Sequence, residues 1–527
     1  MSKYNKAPLE FVIAQMELNP SLSITAATKL MCEEFELEYA DNVRSSISKL
    51  LSRRQLTIVE DTSELFAAAQ NKKMDKKKDT FIISWAQNAT PIHKNFVKNM
   101  KAYAKELDAG IHIIAGRYSN PTSVFTDKDK DWWSPEVTPY LDAARHNLHK
   151  NLQVLSDIKI PPTGSTPLSG LNSVTGLESC IVGHPRQQVK SLPILDGYPH
   201  KLLLSTGSCT VANYTDSKSG KKGEFHHTIG FAIVELDGKH FHIRQVSADE
   251  QGNFYDLFKR VKNGEVMNNE EGAEVAVLGD IHIAHNDEAA TKISFELLDK
   301  MKPNHTMIHD IIDCESISHH EENDPFRIMQ KEENGTGDLK KELEIMIAWV
   351  KDRLKYNLVI VRSNHDDFLD RWLKSVDWRR ARNKRMFLFG ANILANQPVA
   401  QKKGVISFLL EDAFGDQIKT LGLDDSYRVL DWELGVHGHV GANGSRGGHN
   451  QYKNMNTKMI TGHTHSPNRG DGHMTVGTLS GLRVGYNKGA SSWMHANALV
   501  YPDGKAQLIY ITNGKYCRDM SQGEFIK

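Results

Sequence analysis

Cysteine is scarce: Cys32, Cys180, Cys209, Cys314 and Cys517 are the only five in 527 residues, and they stand far apart. An odd number without close spacing excludes a disulfide scaffold and a thiolate zinc knuckle, and fits a reducing cytoplasm. Net charge is missing too. Lys+Arg and Asp+Glu are 65 each, so the formal charge is zero, and any polyanion must be met by local patches. No apolar run approaches the roughly 18 residues that span a bilayer, and Met1-Ser-Lys-Tyr-Asn-Lys6 lacks the apolar stretch of a secretory leader. A nucleotide-binding phosphate loop is also absent. Ser217-Lys-Ser-Gly-Lys-Lys-Gly223 has neither its spacing nor the expected helix after it.

What the chain does contain is a recurring pattern of apolar strand, sharp turn, then metal-ligand residues. Val275-Ala-Val-Leu-Gly-Asp-Ile-His-Ile-Ala-His285 reads as a buried strand ending at Gly279, followed by Asp280, His282 and His285. Residues two apart on extended backbone point the same way, so Asp280 and His282 can reach one ion together. Thr306–Asp313 adds Asp310 and Asp313; Asn357–Asp366 adds Asn364, His365 and Asp366; Trp432–His439 adds His437 and His439; Lys458–His465 adds His463 and His465. One such cluster is ordinary capping or loop chemistry. Five in succession at strand ends, where open α/β sheets bind ligands, point to a metal centre. Asp, Asn and His together suit Mn, Fe, Zn or Mg rather than a thiolate-bound ion. There are enough ligands for two ions, which need a shared anionic ligand to sit roughly 3.5–4 Å apart.

These motifs, Asp-x-His, Asp-x-x-Asp, Asn-His-Asp, His-Gly-His and Gly-His-Thr-His in that order, resemble the calcineurin-like metallophosphoesterase superfamily over about residues 273–512. The resemblance implies a two-sheet α/β sandwich. It implies that Asp280, His282 and His465 hold one ion and that Asn364, His437 and His463 hold the other, with Asp310 bridging. His365 would protonate the leaving oxygen, and Asp313 would orient it. The implied chemistry is direct hydrolysis by metal-activated hydroxide, with no Ser or Cys nucleophile. Two positions depart from the pattern: His309 and Ser363 stand where the family has Gly. His439 and His285 either face a substrate phosphate or are polar rim residues.

Four regions are expected. Residues 1–60 read as a helix-turn-helix or winged-helix module, with Ser23 capping a helix from Ile24 to about Phe35. Asp41 caps a second helix through Leu51 that shows Arg44, Ser45, Ser48 and Lys49 outward, and Leu56–Val59 is a candidate wing strand. A helical docking domain is the alternative. Residues 61–79, with Lys76-Lys-Lys78, read as an exposed basic linker. Residues 80–270 read as a mixed α/β accessory domain that shapes substrate access or subunit contacts. It opens β-α-β, and Gln87, Asn88, Thr90, Arg117 and Asn120 gather at the strand ends, either for a phosphate or base or for turn chemistry. Residues 271–527 carry the metal motifs.

Trp372, Trp378, Arg379, Arg380, Arg382, Lys384 and Arg385 form a basic, aromatic stretch, and Gly441–Gly448 is a flexible loop carrying Arg446. Both fit phosphate contacts to a polynucleotide. Ala86–Thr90, Arg117–Thr122 and His437–Arg446 are similar to large phage-encoded, Mre-eleven-like metallophosphoesterases that degrade host DNA. That narrower resemblance implies two divalent ions with Mn as first choice, DNA as substrate, a homodimer or larger oligomer, no membrane, and action in the host cytoplasm. Two other functions remain open: hydrolysis of small phosphomonoesters or cyclic nucleotides, and a DNA-binding regulator with a structural metal.

Overall fold

A computed structural model of the chain describes residues 7–18, 24–56, 63–75, 77–120, 132–318, 321, 324–379, 381–485 and 487–520. The chain forms two compact units, one of residues 1–188 and 203–268, the other of residues 189–202 and 269–527.

The first unit begins with helices Ala7–Leu18, Ile24–Glu34 and Asp41–Leu56. Their apolar positions recur at helical spacing, so Leu9, Val12, Ala27, Met31, Val43 and Ile47 bury into one small core. Ser23, and all of the wing strand beyond Leu56, lie outside the described residues. The stretch expected as a linker is partly ordered: Ser63–Gln70 is a helix. Its Ala69 is buried, and Phe66 stacks on Trp133 at 5.7 Å. Apolar Leu65-Phe-Ala-Ala-Ala69 outweighs the lysines that follow.

Next comes an α/β body. Strand Thr80–Gln87, buried throughout, pairs in parallel with Gly110–Gly116, which pairs in parallel with Leu141–Asp142. Helix Lys94–Glu106 makes the crossover and buries Phe96, Val97, Met100 and Tyr103. On its other side Thr80–Gln87 pairs antiparallel with Gly230–Asp237, which forms a hairpin with His240–Ser247 through Asp237-Gly238. Several polar residues at these strand ends bond to one another. Gln87 donates to the Asn213 carbonyl, as does Asn120, and Asn213 donates to Thr90.

In the second unit four strands run in parallel in the order Lys419–Leu421, Leu358–Val361, His305–His309 and Val275–Val277. Val275–Val277 then pairs antiparallel with Ala496–Val500, which pairs with Ala506–Tyr510. Val275-Ala-Val277 and Leu358-Val-Ile-Val361 are apolar on both faces, as strands covered on both sides must be. A further set pairs Trp432–Glu433, Lys458–Thr461 and His473–Thr475 in parallel. Among the described residues no helix is long and apolar enough to cross a membrane.

Candidate metal centre

The five motifs leave their strands at carboxyl ends and converge. Asp280, His282, Asp310 and His465 are buried, and their ligand atoms all lie within 4.8 Å of one another. His465 Nε2 is 3.0 Å from Asp280 Oδ2 and 3.0 Å from His282 Nε2. Asp310 Oδ2 is 3.6 Å from His282 Nε2 and, on its other side, 3.3 Å from His437 Nε2. His437 Nε2 and His463 Nδ1 each come within 3.0 Å of Asn364 Oδ1. One carboxylate oxygen therefore sits between two groups of ligand atoms.

The local backbone is bent to achieve this. His282, Asp310, His463 and His465 have φ of 49°, 44°, 74° and 55°. Such left-handed conformations cost a non-glycine residue on the order of 1–3 kcal/mol and persist only when the surroundings hold them. Hydrogen bonds between the turns do so here. The His282 N–H donates to the Asp310 carbonyl at 2.8 Å, and the His463 N–H to Asp280 Oδ2 at 2.7 Å. Gly462 is required for close approach, because a Cβ there would lie 2.1 Å from Asp280 Oδ1.

The donor set fits a divalent cation. Asp280 Oδ1 is buried without a hydrogen-bond partner among the described residues, and two imidazole nitrogens face each other at 3.0 Å. An uncompensated buried acceptor costs about 1–3 kcal/mol, and a cation among these atoms would satisfy it. The electrostatics agree. Burial raises the Asp280 carboxyl, but the His465 hydrogen bond and the nearby His437 bring it down to about 2. Burial opposes charge on His282, yet Asp313 and Asp310 raise it to about 9. Burial, with His437 beside it, pushes His463 down to about 4. These buried Asp and His residues could hold a metal ion.

Asp313 was expected to orient His365. Its carboxylate lies 2.9 Å from His282 Nδ1 and accepts from the Ala284 N–H, and His365 Nδ1 lies 3.3 Å from the Asp313 main-chain oxygen. Ligand atoms of His282, Asp313 and His365 all lie within 4.8 Å of one another, a second group that could hold a metal ion. The His365 N–H points at Asp310 Oδ1 at 3.4 Å, and its ring stands edge-on to that of His282 at 4.8 Å.

The remaining candidates are scattered. His439 is near the centre, its ring 5.3 Å from that of His437 and its Nε2 3.6 Å from Asp367. His285 ends the short turn after His282, and its carbonyl accepts from the Gly481 N–H. Arg446 is exposed on the loop beyond His439. Arg379 is engaged by Asp377 at 2.9 Å; Arg380 lies outside the described residues. Arg44 is half-buried on helix Asp41–Leu56.

Three positions were not anticipated. His309, set aside as a departure from the family pattern, is buried with Nδ1 3.4 Å from His437 Nδ1. Ser363, the other departure, exchanges hydrogen bonds with Asp366 at the start of helix Asp366–Ser375. Thr478 donates to the Asp280 carbonyl at 2.9 Å. Ser363 carries a readable signal, since Ser three residues before Asp is a capping pattern.

The chain is similar to Protein A1 of Escherichia phage T5, with 30% identity over 485 residues that cover 87% of this chain and 85% of that protein. This supports a phage origin. No family profile matches the chain, and no solved structure matches it.

Proposed function

The chain belongs to the family of Protein A1 of Escherichia phage T5, and we propose that it is a metal-dependent phosphodiester hydrolase acting on DNA. The observation that carries this reading is the Asp310 carboxylate, one oxygen of which lies 3.6 Å from His282 and 3.3 Å from His437. A shared anionic ligand between two sets of neutral and acidic donors is what a two-ion phosphoesterase needs. Asp280, His282, Asp310 and His465 would hold one ion, and Asp310, Asn364, His437 and His463 the other. Mn is the first choice, with Mg, Fe and Zn as alternatives.

When bound, such ions supply positive charge to the phosphoryl oxygens and make water more acidic. The chain's own groups do the rest. Asp313 accepts a hydrogen bond from the Nδ1–H of His282 and so leaves Nε2 free as a ligand. His365 borders the centre without being among the ligands, as a proton donor to the leaving oxygen would. Burial lowers its pKa, which makes its cationic form a better acid.

DNA is favoured over small esters by the three-helix module at the start of the chain and by exposed Arg446 beyond His439. Arg379 and Arg382 contribute less, being engaged by Asp377 and Glu332. The host cytoplasm is the setting this reading implies.

Plasmid and end-labelled linear DNA, run on gels after incubation with Mn, Mg or Zn beside an aryl phosphodiester, test the proposal. Metal-dependent cleavage of both substrates is expected, lost in Asp310→Asn and reduced in His365→Ala. Activity on the small ester without DNA cleavage would reject DNA as substrate. No activity with any metal would reject the enzyme.

A further inference from the structure

The region between the helical module and the metal centre shares its central strand pairings with the catalytic unit. In both, a strand pairs in parallel with the next through a crossover helix and antiparallel with the first arm of a late hairpin. Between these come a hairpin and two further parallel pairings. Arg145–His149, Leu152–Leu155, Ser179–Val182 and Lys201–Ser205 follow that order in one. Arg428–Val429, Trp432–Glu433, Lys458–Thr461 and His473–Thr475 follow it in the other.

Hydrogen bonds set the alignment residue by residue. The Cys209 N–H donates to the Trp85 carbonyl and the His93 N–H to the Cys209 carbonyl, both at 2.8 Å. The Leu479 N–H likewise donates to the Asp280 carbonyl at 2.7 Å and the Asp287 N–H to the Leu479 carbonyl at 2.8 Å. His93 and Asp287 each cap the crossover helix by accepting from its third residue. Ser208 and Thr210 join hydroxyls at 2.8 Å, as Thr478 and Ser480 do at 2.7 Å. A Cβ on Gly183 would strike Trp85 at 2.6 Å and Ile114 at 2.5 Å. A Cβ on Gly462 would strike Asp280 at 2.1 Å and His309 at 3.2 Å.

We propose that residues 80–268 are a second copy of the fold of residues 269–527, in which the metal centre has been dismantled. Trp85 stands at the position of Asp280, Gln87 at that of His282 and Ala115 at that of Asp310. Gly183-His-Pro-Arg186 stands for Gly462-His-Thr-His465. Both bridging and terminal carboxylates are gone, and Arg186 puts a fixed cation where a ligand for a cation was. His184, which stands for His463, is already committed: its Nε2 lies 3.1 Å from the Pro161 carbonyl, and its Nδ1 accepts from the Arg186 N–H. Arg186 itself donates to the Ser165 carbonyl at 2.6 Å, and the Trp85 ring fills the space against Gly116 and Gly183. The copy is a metal-free, catalytically silent body. This holds whatever ester the intact centre hydrolyses.

The full-length protein, solved experimentally with Mn present, tests the repeat. One rigid-body fit is expected to place the Cα atoms of Trp85, Gln87, Ala115 and Gly183 on those of Asp280, His282, Asp310 and Gly462, with no ion among residues 80–268. Strand ends that do not superpose, or an ion held by His184, overturn the proposal. In solution, His184→Gln and Arg186→Lys should each match the unsubstituted chain in manganese per chain by elemental analysis and in turnover of an aryl phosphodiester. Loss of an ion in a folded His184→Gln protein, checked by circular dichroism, overturns it as well.

Discussion

Replacing Gly462 by Ala tests the centre through a single methyl group. The glycine's backbone is ordinary, so the effect is steric alone. The new Cβ would stand 2.1 Å from Asp280 Oδ1, 3.1 Å from Asp280 Cγ and 3.2 Å from His309 Cβ. To reach normal contact the carboxylate must retreat by more than about 1 Å, since carbon approaches its neighbours at roughly 3.5–4 Å. It has no easy way back. Oδ2 accepts the His463 N–H at 2.7 Å, and the Asp280 main chain is fixed by Gly477 at 3.1 Å and Leu479 at 2.7 Å. A displacement of about 1 Å in a reacting geometry costs about 10²-fold in rate, and overpacking a buried site costs about 1–3 kcal/mol of stability. The assay is kcat on an aryl phosphodiester against Mn concentration, with thermal melting in parallel. A drop in kcat of about 10²-fold and a rightward shift of the Mn midpoint are expected. Gly481→Ala, whose added Cβ meets nothing closer than 3.8 Å, should leave both unchanged. Gly462→Ala with unaltered kcat and Mn midpoint would refute the claim that Asp280 must sit where it does.

Asp310→Asn should reduce turnover by at least about 10²–10³-fold, the scale of losing one group that stabilises transition-state charge; near-normal turnover in a gel or ester assay contradicts a shared carboxylate. Asp313→Ala removes the acceptor 2.9 Å from His282 Nδ1 and should weaken Mn affinity by about 10–100-fold, read as a shift in the Mn midpoint. Chelation should lower the melting temperature, because an ion at 100 times its Kd stabilises the folded chain by about 2.7 kcal/mol; identical melting with Mn and with chelator argues against the site. In the first unit, Asp142→Ala strips the shared partner from buried His112 and His146, at 3.1 and 2.8 Å, and should destabilise by about 3–5 kcal/mol without altering turnover. Burial raises the Asp142 carboxyl, but hydrogen bonds from His112 and His146 carry it below its usual range. The stabilisation is therefore complete above the unfolded value of about 4 and fades as pH falls through the lower folded value. Denaturant titrations of both proteins at neutral and acid pH check the sign.

The sequence alone determined which candidate ligand residues stand at strand ends, where the fold brings them together. Asp280, Asp310, Asn364, His437, His463 and His465 each follow an apolar run, and such runs bury as strands whatever surrounds them, so the polar residues after them must emerge at strand ends. Local chemistry also settled the Asp237-Gly238 hairpin. Tertiary structure decided what depends on partners distant in the chain. Asp313 was expected by resemblance to orient His365, and the fold sets its carboxylate 2.9 Å from His282 Nδ1. His309 and Thr478 gain their roles from groups more than a hundred residues away. Ser63–Gln70 becomes a docked helix because Trp133 offers it a surface. The repeat in residues 80–268 was hidden for a related reason. A fold is held by backbone pairing and apolar burial, which many sequences satisfy. The motifs that announce a metal centre are held only by the ion, and at Trp85, Gln87, Ala115 and Arg186 that requirement is gone.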